Sequence, residues 1–230
     1  MKFYVDIADL GAIRRIAKYF PIEGFTTNPK ILTKAPTPLP ALMAEYREFV
    51  EQTGLTAFVQ TTAETADGIL AQAKALQAYF GEHFVVKLPA VPEGYRAVRL
   101  CKAEGIPVCV TVVHSMTQAL VAAAAGADYV APYVSRIDNL GADGVACVSE
   151  MVTAFRNGGY ACQVLGASFR TVDQVRRLAV AGCQAVTLMP ELFDQLIAHP
   201  ATDKAMVDFR TVWQDTFGQT EVTDFLPEEA

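Results

Sequence analysis

Residues 84–113 read FVVKLPAVPEGYRAVRLCKAEGIPVCVTVV, and this stretch decides the fold. Two apolar, β-branched runs, Phe84–Leu88 and Pro107–Val113, flank an amphipathic stretch at 93–104 that opens on Pro92-Glu93. Strands apolar along their whole length are buried on both faces, which is the state of a parallel sheet covered by helices. Such strands recur along the chain: Phe3–Asp6, Glu23–Thr26, Ala57–Thr61, Tyr129–Tyr133, Cys162–Ala167 and Ala185–Leu188 join the two above. Amphipathic stretches at 9–20, 40–53, 64–80, 115–125, 142–157, 171–181 and 191–198 separate or follow them. Ser115 is placed to cap one helix, and Gly126 and Gly182 to stop two others before a strand.

Eight strand–helix repeats within 230 residues predict a single α/β domain, a closed (β/α)8 barrel. An open doubly wound sheet is the alternative, but no GxGxxG follows an early strand. A further amphipathic helix at 202–217 carries Trp213 and Phe217, so 1–218 reads as the domain and 219–230 as a loose acidic tail. Between Asn28 and Pro40 four prolines mark a stiff excursion at the rim.

A net charge of −6 and a pI near 5.1 argue against a nucleic-acid surface, so an anionic ligand requires a local cationic pocket. No run approaches a membrane span, and the N-terminus has no signal-peptide layout. Five cysteines without metal-type pairing read as reduced core residues of a cytoplasmic protein, and three dispersed histidines offer no metal site.

Lys87 breaks the apolar run at 84–89. A buried amine tends toward its neutral, nucleophilic form, as Schiff-base chemistry requires; the competing reading is a side chain that snorkels from the strand end to solvent. In a barrel, functional groups gather at the C-terminal strand ends. There the sequence places Asp6, Thr26-Thr27-Asn28, Gln60, Lys87, Thr111, Tyr133 with Arg136, and Ser168-Phe169-Arg170. Singly, each has a plain explanation: Asp6 a helix cap, Asn28-Pro29 a turn, Thr111 a β-former, Tyr133 a core aromatic, Arg136 an ion pair with Asp138. Together they suit ketose chemistry. Lys87 can form an iminium, Asp6 and Asn28 can hold hydroxyls, and Asp6 can accept a proton. Gln60, Thr111 and Tyr133 can hold water or move protons, while Arg136, Ser168 and Arg170 can clamp a phosphate.

The phrases Phe3-Tyr4-Val5-Asp6, Thr26-Thr27-Asn28-Pro29, Val85-Val86-Lys87-Leu88-Pro89, Lys102 through Pro107, Tyr129 through Asp138 and Ala167 through Thr171 resemble the transaldolase family. The resemblance spans roughly residues 1–218 and lies with the small-subunit branch that contains fructose-6-phosphate aldolase. It implies a class I lyase or transferase on a (β/α)8 barrel, with no metal and no organic cofactor. Its substrate is a sugar or sugar phosphate. It places Lys87 as the Schiff-base lysine, Asp6 as the acid, and Asn28 and Thr111 at substrate- or water-holding positions. Arg136, Ser168 and Arg170 match phosphate-contacting positions. Gln60 and Tyr133 stand where transaldolases carry Glu and Phe, which favours the aldolase branch. His114 departs from the aromatic hydroxyl of that branch, and Arg170 from its lysine. The resemblance further implies a homo-oligomer, a pentamer or decamer, with the terminal helix exchanged between subunits.

Overall fold

The computed structural model describes residues 1–227. Eight parallel strands close on themselves in sequence order: β1 (Lys2–Asp6), β2 (Ile22–Thr26), β3 (Thr56–Gln60), β4 (Phe84–Pro89), β5 (Val108–Val113), β6 (Tyr129–Pro132), β7 (Gln163–Gly166) and β8 (Ala185–Leu188). Each lies within a few residues of its expected position. The closed β1–β8 ladder excludes the open sheet, whose two edge strands would have no partner on one side.

The crossovers carry α1 (Leu10–Tyr19), α2 (Pro29–Leu32), α3 (Leu39–Thr53), α4 (Ala66–Phe80), α5 (Pro92–Ala103), α6 (Met116–Ala124), α7 (Val134–Asn139), α8 (Gly144–Gly158), α9 (Val172–Val180) and α10 (Pro190–Ile197). Their ends follow local chemistry. Pro92 occupies the first turn of α5, where its missing N–H costs nothing. Ser115 and Gln118 cap α6 reciprocally. Gly126 and Gly182 take left-handed φ of 97° and 82° just past α6 and α9, which a side chain would strain.

Inside the barrel, Tyr4, Phe58, Val85, Cys109, Ala131, Leu165 and Ala185 form one buried layer. Tyr4 meets Phe58 edge-on at 5.1 Å, and Phe58 meets Tyr129 at 5.3 Å. Burying a side chain such as Phe58 contributes on the order of 1.5–3 kcal/mol. This layer is the floor of the upper mouth. Residues two positions further along each strand point the same way, so β1, β3, β4 and β5 deliver Asp6, Gln60, Lys87 and Thr111 above it.

A second compact unit begins at Asp194. It contains α11 (Pro200–Phe217) and a 3-10 turn at Val222–Phe225. Trp213 stacks obliquely on Phe217 at 4.9 Å and donates its Nε1–H to Thr220 O at 2.7 Å. Phe225 packs against both rings. Residues 228–230 of the acidic tail lie outside the described residues. Among the described residues no helix is long and apolar enough to cross a membrane, and all five cysteines are free thiols.

Candidate active site

A cavity of about 300 Å³ opens at the C-terminal ends of the strands. Eight of the eleven residues singled out in the sequence line it: Asp6, Thr26, Asn28, Lys87, Tyr133, Arg136, Ser168 and Arg170. Thr27, Thr111 and Gln60 do not. The first two support groups that do, and Gln60 pairs in register with Lys87 from the neighbouring strand.

Lys87 is only 4% exposed, so its amine does not snorkel. Its Nζ donates to the Thr27 carbonyl at 2.7 Å. That bond fixes the direction of a side chain with four rotatable bonds and satisfies one donor away from water. The hydroxyl of Thr27 is occupied elsewhere, donating to Phe58 O at 3.2 Å.

Asp6 ends β1 beside Lys87. Thr26 donates its hydroxyl to Asp6 Oδ1 at 2.7 Å and lies 2.7 Å from the Thr187 hydroxyl. Burial raises the Asp6 carboxyl above its ordinary value of 3.8, against the lowering effects of Lys87, the Thr26 hydrogen bond and Arg136. A carboxylate made more basic in this way is a better proton acceptor near neutrality. It does not cap α1; Asp9 does, accepting from Gly11 N at 2.8 Å. Cys109 sits beneath Lys87 in register. Burial pushes its thiol up to about 12, with Lys87 acting in the opposite sense. The thiol therefore stays protonated and offers no rival nucleophile at neutral pH.

Across the mouth, Tyr133 and Thr111 share a hydrogen bond at 3.2 Å. Both are buried. A bulge in β5 between Thr111 and Val113 accompanies this placement, with Val112 at a φ of 62°. Left-handed backbone is rare for a β-branched residue and marks local strain. The His114 ring meets Tyr133 edge-on at 5.5 Å and places Nδ1 3.0 Å from Val112 O, so it braces the phenol.

The Arg136 guanidinium also packs on this ring, 4.6 Å from the Tyr133 ring centroid. The expected alternative partner, Asp138, is engaged otherwise, accepting from Gly144 N at 2.7 Å and Gln174 Nε2 at 2.7 Å. Arg136 is thus exposed toward the cavity it lines. Ser168 adopts a left-handed φ of 60° after β7, between buried Ala167 and buried Phe169. That turn brings Ser168 and Arg170 to the same cavity wall.

Asn28 is both a helix cap and a cavity residue. Its Oδ1 accepts from Ile31 N at 3.0 Å and caps α2, with Pro29 in the first turn. The side-chain amide N–H donors stay available to the cavity. Lys30, Lys34 and Thr187 also line it, and the sequence reading missed all three. An Asn cap followed by Pro is a helix-start signal, and it places the lysines on the rim rather than in a formless loop. Five cations and one carboxylate line a cavity in a chain of net charge −6. This is the local cationic pocket that anion binding requires.

The fold and the site together define a (β/α)8 barrel with a buried lysine and a basic rim at the C-terminal ends of the strands. Comparison with known proteins narrows that class. The chain belongs to the transaldolase/fructose-6-phosphate aldolase family, whose model matches residues 3–228. Solved structures at low identity share the barrel alone. A thiamine phosphate pyrophosphorylase from Pyrococcus furiosus has a TM-score of 0.57 at 15% identity, covering 82% of this chain and 85% of that one. Native KDPGal has a TM-score of 0.56 at 16% identity, with 82% of each chain covered. A mandelate oxidase mutant with a monooxide FMN adduct has a TM-score of 0.56 at 18% identity and covers 82% of this chain. The present chain spans 64% of that oxidase.

Proposed function

We propose that the protein is a class I aldolase that cleaves or forms fructose 6-phosphate, or a closely related ketose, through a Schiff base on Lys87. The observation that carries this reading is the buried Lys87 amine, held at 2.7 Å by the Thr27 carbonyl in a cavity shared with Asp6 and Tyr133.

Lys87 Nζ adds to the C2 carbonyl, and loss of water gives an iminium. The positive nitrogen draws the electrons of the C3–C4 bond while Asp6 accepts the C4 hydroxyl proton. Glyceraldehyde 3-phosphate leaves, and an enamine stays on Lys87. Tyr133, hydrogen-bonded to Thr111, relays a proton to C3 of the enamine. Water then hydrolyses the new iminium, releases dihydroxyacetone and restores the amine. Asn28 holds donor hydroxyls beside Thr26, Thr27 acts through its carbonyl on Lys87 rather than on substrate, Gln60 and Thr111 help to position water, and Arg136, Ser168 and Arg170 hold the phosphate.

The second reading is a transaldolase, in which the enamine waits for an acceptor aldehyde. The Tyr133 hydroxyl favours the lyase, because it supplies the proton that ends the enamine's life. Incubation of fructose 6-phosphate without acceptor separates the two. The lyase releases free dihydroxyacetone; no release, with brisk transfer once erythrose 4-phosphate is added, would establish the transaldolase. The reading also includes a homo-oligomer, supported by α11, where Met206, Phe209 and Val212 are exposed.

A further inference from the structure

We propose that Gln174 is a positioning residue for phosphate recognition. Its side-chain amide ties the helix that carries Arg136 to the loop that carries Arg170, so the spacing of the two segments is set before substrate arrives. The inference rests on the reading of Arg136, Ser168 and Arg170 as the phosphate wall.

The two arginines come from different crossovers, Arg136 from α7 after β6 and Arg170 from the loop after β7. Close to the barrel, backbone bonds join those crossovers: Val134 N donates to Ala167 O and Ser135 N to Ser168 O, both at 2.9 Å. Further out, the joint is one side chain. Gln174 Oε1 accepts from Arg170 N at 2.8 Å and from Thr171 N at 3.2 Å. Its Nε2 donates to Asp138 Oδ2 at 2.7 Å and to Ser135 Oγ at 3.3 Å. Both acceptor sites and both donors of the amide are thereby used. The amide can face only this way, because a backbone N–H only donates and a carboxylate only accepts. Asp138 is held in turn by Gly144 N, which donates to its other oxygen at 2.7 Å.

Helix capping alone does not require this residue. Gln174 and Thr171 form the capping box of α9, and a glutamate would complete that box equally well. What only the amide supplies is a donor toward α7, and its acceptor is a carboxylate, which makes the stronger kind of hydrogen bond. Arg136 and Arg170 reach the cavity on long side chains. Fixing their backbones removes freedom that phosphate binding would otherwise have to remove.

Isothermal titration with glucitol 6-phosphate and with glucitol, at pH 8, reads the wall without chemistry at Lys87. The native protein should prefer the phosphate ester by at least about tenfold; equal binding would remove the phosphate wall and the role of Gln174 with it. Gln174→Glu keeps the cap but turns an oxygen toward Asp138. Asp138→Asn, its carbonyl kept by Gly144 N, turns an N–H toward the N–H of Gln174. Each should weaken binding of glucitol 6-phosphate by about tenfold. Asp138→Asn separates position from charge, since removing a carboxylate two residues from Arg136 would by itself tighten anion binding. In the double variant Gln174→Glu/Asp138→Asn the bond re-forms with donor and acceptor exchanged, at the native net charge. Its affinity should return to within about threefold of native. Unchanged or tighter binding by Asp138→Asn, or a double variant as weak as the singles, would overturn the proposal. Borohydride trapping of dihydroxyacetone, which carries no phosphate, should label Lys87 equally in all four proteins. Loss of that label in the variants alone would mark a general structural role and overturn the proposal as well. A trap that fails in the native protein too removes the Schiff base and leaves the titration to judge Gln174.

Discussion

Tyr133→Phe removes one oxygen and little else. The ring keeps its edge-on contact with His114 at 5.5 Å and its face toward the Arg136 guanidinium at 4.6 Å. What disappears is the 3.2 Å hydrogen bond to Thr111, whose hydroxyl is fully buried and lacks any other hydrogen bond among the described residues. A net hydrogen bond contributes about 0.5–1.5 kcal/mol, and stranding its buried partner costs about 1–3 kcal/mol. The variant should therefore lose roughly 2 kcal/mol of stability, read from urea unfolding followed by the Trp213 fluorescence and far-UV circular dichroism. Thr111→Val in the same background should restore part of it, since no buried hydroxyl is then left unpaired. The effect on chemistry is larger and selective. Loss of a positioned acid costs about 10²–10⁴-fold, so release of dihydroxyacetone without acceptor should fall by that factor. Transfer to an added aldehyde needs no such proton and should fall far less. Equal losses in release and transfer would refute the assigned role of the phenol.

The remaining predictions concern other parts of the fold. Because the Asp6 pKa is raised, the folded protein holds this proton more tightly than the unfolded chain. Stability from Asp6 is therefore greatest below its ordinary value of 3.8 and is lost as pH rises through the folded value. Asp6→Asn should be more favourable to stability at pH 8 than at pH 4 in urea melts, and a pH-independent difference would contradict the assignment. Gly94 of α5 has no room for a side chain, because an added Cβ would collide with the Pro89 carbonyl at the end of β4. Gly94→Ala should cost about 1–3 kcal/mol and shift the position of Lys87's strand end; an unchanged melting temperature would refute it. Phe209→Asp on α11 should lower the assembly state seen by light scattering, whereas an unaltered mass would remove α11 from the interface.

The barrel was legible because its signal is repetitive: eight apolar strands, each long enough to show its pattern, punctuated by caps such as Ser115 and stops such as Gly126. The short helices were not. Four residues in α2 and six in α7 complete barely one turn or two, too few for hydrophobic periodicity to appear, and both carry residues of the cavity. Lys30 and Lys34 were missed for that reason, although Asn28-Pro29 announced the helix that carries Lys30 and leads into the turn that carries Lys34. Individual strand ends were readable because Asp6, Lys87 and Tyr133 are polar where strand interiors are apolar. Their division of labour was not. Sequence cannot show that Thr27 contributes its carbonyl rather than its hydroxyl to Lys87, that Asp138 serves Gly144 and Gln174, or that a left-handed Val112 accompanies the Thr111–Tyr133 contact.

The covalent role of Lys87 is measured by trapping. Fructose 6-phosphate is incubated with the protein, borohydride is added, and the product is mapped by peptide mass spectrometry. A reduced three- or six-carbon adduct is expected on the peptide containing Lys87, and none in Lys87→Met, whose flexible apolar side chain suits the same surroundings. No adduct under turnover conditions, or an adduct confined to another lysine such as Lys102, would contradict it.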